Sequence, residues 1–167
     1  VVAAVSSDEK AKVAKDAGAD ETVVYPRAPF DKDASKKLAG DFKAAVGANG
    51  ADIVVDIVGG DYSEPALRSI AWEGRFLVIG FPAGIAKMPL NLTLLKSCDI
   101  RGVFWGAFAA REPQRNAQNI AELFEFWQDG KISPQISETF SLDDAHKAIE
   151  KLENRQAIGK LVVSMDK

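Results

Sequence analysis

Ala51-Asp52-Ile53-Val54-Val55-Asp56-Ile57-Val58-Gly59-Gly60 is the stretch on which the fold reading turns. From Ile53 to Val58 it is apolar at nearly every position, with Asp56 the one interruption, so it reads as a strand covered on both faces. Gly59-Gly60 closes it, and Tyr62, Ala66, Leu67 and Ile70 mark a helix immediately afterwards. A doubly covered strand followed by a helix is the building unit of a parallel sheet.

The same unit repeats in both directions. Upstream, the apolar run Val1 to Val5 ends in Ser6-Ser7-Asp8, which is helix-capping chemistry, and Ala11, Val13, Ala14 and Ala17 continue as a helix that Gly18 can stop. Glu21 to Tyr25 is a second short strand halted by Pro26, and beyond Pro29 a helix carries Leu38, Phe42, Ala45 and Val46. Downstream, Gly74-Arg75 leads into a strand over Phe76 to Ile79, ending at Gly80. A loop with Pro82, Gly84 and Pro89, a short helix through Leu95 and a strand over Ile100 to Trp105 follow. A long helix presents Ile120, Leu123, Phe124 and Trp127 at helical spacing and ends at Gly130. An extended segment near Ile136 to Phe140, a helix with Ala145, Ala148, Ile149 and Leu152, and a strand over Leu161 to Ser164 complete the chain. This alternation predicts a doubly wound α/β sheet with right-handed crossovers, whose ligands bind beyond the carboxyl ends of the strands.

Composition narrows the class. With 167 residues the chain is long enough for one domain that buries roughly 70% of its unfolded surface. The 21 basic and 24 acidic residues are interspersed, so no electrostatic footprint for nucleic acid or an anionic membrane is present. No apolar run approaches bilayer length. The single cysteine, Cys98, and single histidine, His146, do not make a usual zinc site, and a reducing, cytoplasmic setting is expected. The chain opens inside an apolar strand without an initiator Met, so we take it to be a piece of a longer protein.

Several strand ends carry residues with ligand chemistry. A site that reads a free adenosine ribose places Asp or Glu after its strand, whereas Val5 and Ser6 occupy that corner here. Ser6, Ser7 and Lys10 are instead donors suited to a 2′-phosphate, which favours NADP over NAD, although Ser7 or Asp8 also reads as a plain helix cap. Gly59-Gly60 and Gly80 allow backbone to approach a flat ligand, or serve as ordinary turns. Phe104-Trp105-Gly106-Ala107-Phe108 either walls a nicotinamide or substrate pocket or packs on a neighbouring helix. Asp56 needs hydrogen-bond partners if buried, in a structural or a site-supporting role. His146 reads as a surface histidine, and Arg155 either reaches an anionic ligand or is a solvated surface residue.

Taken together, Val2 to Lys10, Ala17-Gly18-Ala19-Asp20, Ala51 to Gly60, Trp72-Glu73-Gly74-Arg75-Phe76-Leu77-Val78-Ile79-Gly80-Phe81 and Phe140 to His146 resemble the medium-chain dehydrogenase/reductase superfamily. Within it they resemble the NADPH:quinone oxidoreductase, zeta-crystallin-like branch. The resemblance implies a Rossmann sheet of six parallel strands in the order 3-2-1-4-5-6. In that register Val1 to Val5 is the second strand, Thr22 to Tyr25 the third, Ile53 to Val58 the fourth, Phe76 to Ile79 the fifth and Ile100 to Trp105 the sixth. The first strand, the glycine-rich pyrophosphate turn and the upstream catalytic domain are not in this chain. Residues 1–132 are then an incomplete dinucleotide-binding domain, and residues 133–167 a segment that in the family returns to the catalytic domain.

The resemblance also implies roles. Ser6, Ser7, Lys10 and Tyr25 match the adenosine 2′-phosphate end of an NADPH site, and Val58 and Gly59 the loop along the adenosine ribose. Gly80 with Phe81, and Phe104 with Trp105, match segments flanking the nicotinamide, and Arg155 matches an arginine that some relatives place on phosphate. The implied activity is zinc-independent hydride transfer from NADPH to a quinone or other α,β-unsaturated carbonyl, with no catalytic acid, base or nucleophile among these residues and the chain alone inactive. A homodimer through the strand around Val103-Phe104-Trp105 is expected. The competing reading is a non-catalytic folding or dimerisation module, because without a first strand two apolar strand edges lie unpaired at the sheet centre. A receiver or flavodoxin-like domain does not account for the C-terminal helix and strand.

Overall fold

The computed structural model describes residues 1–165 and divides into two compact units, Val1–Trp105 and Gly106–Lys167. The first unit runs β1 (Val2–Val5), α1 (Asp8–Asp16), β2 (Glu21–Val24), α2 (Lys32–Val46) and β3 (Ala51–Asp56). It continues with a 3-10 turn (Gly60–Tyr62), α3 (Ser63–Arg68), β4 (Ile70–Val78), α4 (Asn91–Lys96) and β5 (Asp99–Gly102). A further helix, α5 (Trp105–Arg111), crosses the boundary, and the second unit holds α6 (Pro113–Gln128), β6 (Ile136–Ser141), α7 (Ala145–Glu153) and β7 (Lys160–Ser164). Among the described residues, no helix is long and apolar enough to cross a membrane.

Every strand pair is parallel, as the alternation of strands and helices requires: β1 with β2, β3 with β4, β4 with β5, and β6 with β7. In the first unit the strands form two sheets, β1-β2 and β3-β4-β5, and β1 and β3 are not hydrogen-bonded to each other. The division falls where the family order places its first strand. The chain therefore keeps a Rossmann-type layout without closing the sheet across that point.

Local chemistry explains the element ends. Ser7 caps α1, its Oγ accepting from the Lys10 amide at 3.3 Å, and Asp31 caps α2 by accepting from the Ala34 amide at 2.7 Å. The apolar side of α2, Leu38 and Phe42, packs on Val23 of β2. Leu67 of α3 joins Ile70 and Phe76 of β4, Leu92 of α4 and Cys98 in the second cluster. Leu67, Ile70 and Phe76 are fully buried, each contributing about 1.5–3 kcal/mol of transfer free energy.

Three expectations need correction. Ile70 belongs to β4 and not to the helix before it: the strand starts early, then Glu73 takes φ 56° and the pairing with β3 jumps from Ile70 to Arg75. The strand expected over Ile100 to Trp105 ends at Gly102. Trp105 opens α5 because the following Ala107, Phe108, Ala109 and Ala110 form a helix-favouring run that outweighs the strand preference of the aromatics. A dimer through a strand at Val103-Phe104-Trp105 is thus not supported as placed, because β5, which with β3 forms the edges of the three-stranded sheet, stops at Gly102. Finally, β3 is covered on one face only. Val54 packs into the core, whereas Ile53, Val55 and Ile57 remain 60%, 57% and 60% exposed.

Tyr62 joins the two sheets at their carboxyl ends. Its hydroxyl accepts from the Ala28 amide at 3.0 Å and donates to the Pro26 carbonyl at 3.1 Å, while its ring meets those of Tyr25 and Phe30 edge-on at 4.7 and 4.9 Å. Asp61 adds an acceptor for the Phe30 amide at 3.2 Å. Ala66 packs against both core clusters.

In the second unit, β6 and β7 pair beside α7, whose Ala148 is buried, and Lys151 forms an ion pair with Glu138 of β6. At the start of α7 the Lys147 ammonium hydrogen-bonds Asp144, and bond and charge together hold the Asp144 carboxyl below its usual range. The apolar stripe of α6, Ile120, Leu123, Phe124 and Trp127, is exposed.

Removing packing and removing the sheet-joining hydroxyl should differ in size. Urea unfolding is expected to show a loss of about 2–5 kcal/mol for Leu67→Ala and about 1 kcal/mol for Tyr62→Phe. A Tyr62→Phe protein as stable as the parent would remove the hydroxyl from this account.

Candidate functional site

Parallel pairing sends the carboxyl ends of β1 to β5 to one edge of their sheets, and most of the residues singled out from sequence lie there. Ser6 follows β1, and its Oγ accepts from Lys10 Nζ at 3.2 Å, so one turn of α1 brings the hydroxyl and the ammonium together. Ser7 is the α1 cap, a bond that uses an acceptor lone pair of its Oγ and not its hydroxyl proton. Tyr25 follows β2, its amide donating to the Val5 carbonyl at 2.9 Å, which fixes it beside the end of β1.

The loop after β3 is built on Asp56. This carboxylate is buried at 8% exposure, with Oδ1 accepting from the amides of Val58 and Gly59, both at 2.9 Å, and Oδ2 accepting from Ser63 Oγ at 2.5 Å. Gly59 is then held at φ +73° against the loop after β4. A Cβ there would lie 2.7 Å from the Gly84 carbonyl oxygen and 2.8 Å from the Phe81 Cα. Two backbone hydrogen bonds seal the approach: the Ala83 amide donates to the Val58 carbonyl at 2.9 Å and the Gly60 amide to the Gly84 carbonyl at 2.7 Å. Gly80 sits at the same edge, its amide reaching the Asp56 carbonyl at 3.4 Å, and Phe81 is exposed.

Between these loops lies a mostly apolar cavity of about 160 Å³, lined by residues that include Asp56, Gly59, Gly80, Phe81, Met88 and Ile100. A larger cavity of about 580 Å³ lies at the opposite, amino edge, among Lys43, Gly47, Asn49, Gly50, Arg68 and Lys96. Its size does not make it the better site. Lys43, Arg68 and Lys96 lie in the last turns of α2, α3 and α4, where cations offset the carbonyl ends of helix dipoles. Arg68 is also paired with Glu64 at 2.5 Å, and Lys96 Nζ donates to the Ile70 carbonyl at 2.7 Å.

The remaining sequence candidates fall outside this set of contacts. Phe104 and Trp105 follow β5 and are exposed, with Trp105 the first residue of α5. Arg155 belongs to the second unit, in the turn after α7, with φ 58° and its amide donating to the Leu152 carbonyl at 3.0 Å. Sequence reasoning had given Tyr62 and Ser63 no part in the edge. The available signal was an acidic residue ending an apolar strand, followed within seven positions by two glycines and a serine.

The close backbone approach at Gly59 yields a comparison. Gly18, at φ +100°, has nothing within 4 Å of a would-be Cβ, so Gly18→Ala should lose only the backbone term of about 1–2 kcal/mol. Gly59→Ala should lose more in thermal or urea unfolding. Equal losses would mean that the two loops are not packed as described.

A family described as "Zinc-binding dehydrogenase" matches residues 17–163. The chain is 37% identical over 166 residues to "Quinone oxidoreductase-like protein 2" of Bos taurus, covering 99% of this chain and 45% of that protein. It is 28% identical over 165 residues to the acryloyl-coenzyme A reductase of Sulfurisphaera tokodaii, covering 98% and 42%. Among solved structures, a mycobacterial protein complexed with NADPH superimposes with a TM-score of 0.81 at 28% identity, over 98% of this chain and 48% of that one. The chain thus spans less than half the length of these relatives. Fold, strand order and these likenesses agree: this chain belongs to the zinc-binding dehydrogenase family, the medium-chain dehydrogenase/reductases, on its quinone oxidoreductase-like side.

Proposed function

We propose that this chain is the dinucleotide-binding part of an NADPH-dependent oxidoreductase that reduces a quinone or another α,β-unsaturated carbonyl compound. One observation carries the reading: the end of β1 presents a hydroxyl and an ammonium, Ser6 and Lys10, at a parallel-sheet carboxyl edge whose neighbouring loops are glycine-lined. A 2′-phosphate needs donors at that corner, where a carboxylate would repel it.

The residues fit such a cofactor. Ser6, Ser7, Lys10 and Tyr25 would hold the 2′-phosphate end. Val58 and Gly59, held by the Asp56 turn, would run along the adenosine ribose. Gly80 and Phe81, with Phe104 and Trp105, would flank the nicotinamide and keep water from it, and Arg155 would meet phosphate. When bound, the cofactor supplies a hydride from its nicotinamide C4. The chain's own part is to bind and orient; we assign it no acid, base or nucleophile, and take it to be inactive without the rest of the protein.

Zinc does not fit the residues described. No group of three or more His, Cys, Asp or Glu among them could hold a metal, and Cys98 is buried in the apolar cluster of α3, β4 and α4, so no step is drawn through a metal. We further propose that residues 133–167 return to a catalytic domain, that the protein acts in the cytoplasm, and that it dimerises through the open edge of β5. A second reading, a non-catalytic folding or dimerisation module, is favoured by the exposed face of Ile53, Val55 and Ile57.

Titration of the full-length protein separates the two. Saturable NADPH binding with a Kd below about 100 μM is expected, with NADPH preferred over NADH. Lys10→Ala should weaken NADPH by about tenfold or more and leave NADH nearly unchanged, because one charge-assisted bond to phosphate is worth about 1.5–3 kcal/mol. No binding, or no NADPH-dependent quinone reduction by the full-length protein, would end the enzyme reading.

A further inference from the structure

We infer that Asp56 is a positioning residue for the cofactor: its buried carboxylate fixes the loops on both sides of the carboxyl-edge cavity, so that one side chain sets the spacing between the ribose-side and nicotinamide-side segments. This rests on the NADPH reading above and assigns a role to a residue that contributes no chemistry to hydride transfer.

Both Asp56 oxygens are used, Oδ1 by two consecutive amides of its own loop and Oδ2 by Ser63, the first residue of α3. The amide bonds turn the chain back at the end of β3 and set Gly59 at its positive φ. The Ser63 bond ties that turn to the helix, which is itself packed in the core through Leu67. Gly59 and Gly60 then meet the second loop backbone to backbone: added Cβ atoms would stand 2.7 Å from the Gly84 oxygen and 2.5 Å from the Ala83 oxygen. With so little space, the segment Phe81–Gly84 cannot shift independently of the Asp56 turn. Gly80, between β4 and that segment, is tied to the same residue by the bond from its amide to the Asp56 carbonyl at 3.4 Å. A buried carboxylate with three donors is costly to assemble for a turn that a short loop could make alone. Its position lining the cavity, with every oxygen directed into loop and helix, is what a device for holding the cavity walls requires.

The test uses the full-length protein, measuring NADPH affinity by fluorescence titration and kcat at saturating NADPH. Asp56→Ala strands two amides and is expected to weaken NADPH binding by about tenfold and, because the nicotinamide-side wall moves with the turn, to lower kcat at saturating NADPH as well. Asp56→Asn retains a carbonyl oxygen for the two amides and an amide group to face Ser63 Oγ, so it should restore affinity to within about threefold. Parent-like affinity in Asp56→Ala, or a loss in Asp56→Asn as large as in Asp56→Ala, would overturn the inference. Should Asp56→Ala fail to fold, Ser63→Ala removes only the tie to the helix and is expected to weaken NADPH by about two- to fivefold; unchanged affinity would overturn the inference there. A parent that binds no NADPH would sink the cofactor reading and this role with it, whereas a binding parent with an indifferent Asp56→Ala sinks this role alone.

Discussion

The carboxyl edge of the first unit is held by a few bonds around a single turn. Because β1 and β3 do not pair, the backbone ladder that would unite a six-stranded sheet is not available between them, and side chains of the segment Asp56–Ala66 do the joining instead. Asp56 shapes the loop, Ser63 ties it to α3, Tyr62 crosses to the segment after β2, and Ala66 packs into both clusters. These contacts lie at the same end of the strands, so the stability of the divided sheet and the shape of the candidate site depend on the same residues.

The same arrangement separates the two edges as candidate sites. At the carboxyl edge the loops approach through glycines, and donors from Ser6 and Lys10 stand at one end of the row. At the amino edge three helices bring their carbonyl ends together, and the nearby cations serve those ends. Size alone would have chosen the amino-edge cavity. Local charge chooses the other.

Much of the layout could be read from the chain. The parallel order followed from short apolar runs alternating with amphipathic helices, and Ser7 and Gly59 stand where capping and turn chemistry put them. What was not legible came from competition between local and distant preferences. Phe104 and Trp105 favour a strand by type, but the alanines after them pull Trp105 into a helix. Ile53, Val55 and Ile57 read as doubly covered because periodicity reports apolarity and not the presence of a covering partner. The role of Tyr62 depends on contacts across more than thirty residues of sequence and leaves no spacing signature, whereas that of Ser63 lies seven positions from Asp56 and is marked only by a short pattern that also fits an ordinary turn.

The central claim is that NADPH lies along the carboxyl edge. It is tested most directly by amide hydrogen exchange of the full-length protein with and without NADPH. The account predicts new protection at residues 5–10, 25–30, 56–60 and 80–84, with residues 47–50 at the amino edge unchanged. Protection confined to residues 47–50, or none in the first unit at saturating NADPH, would contradict it.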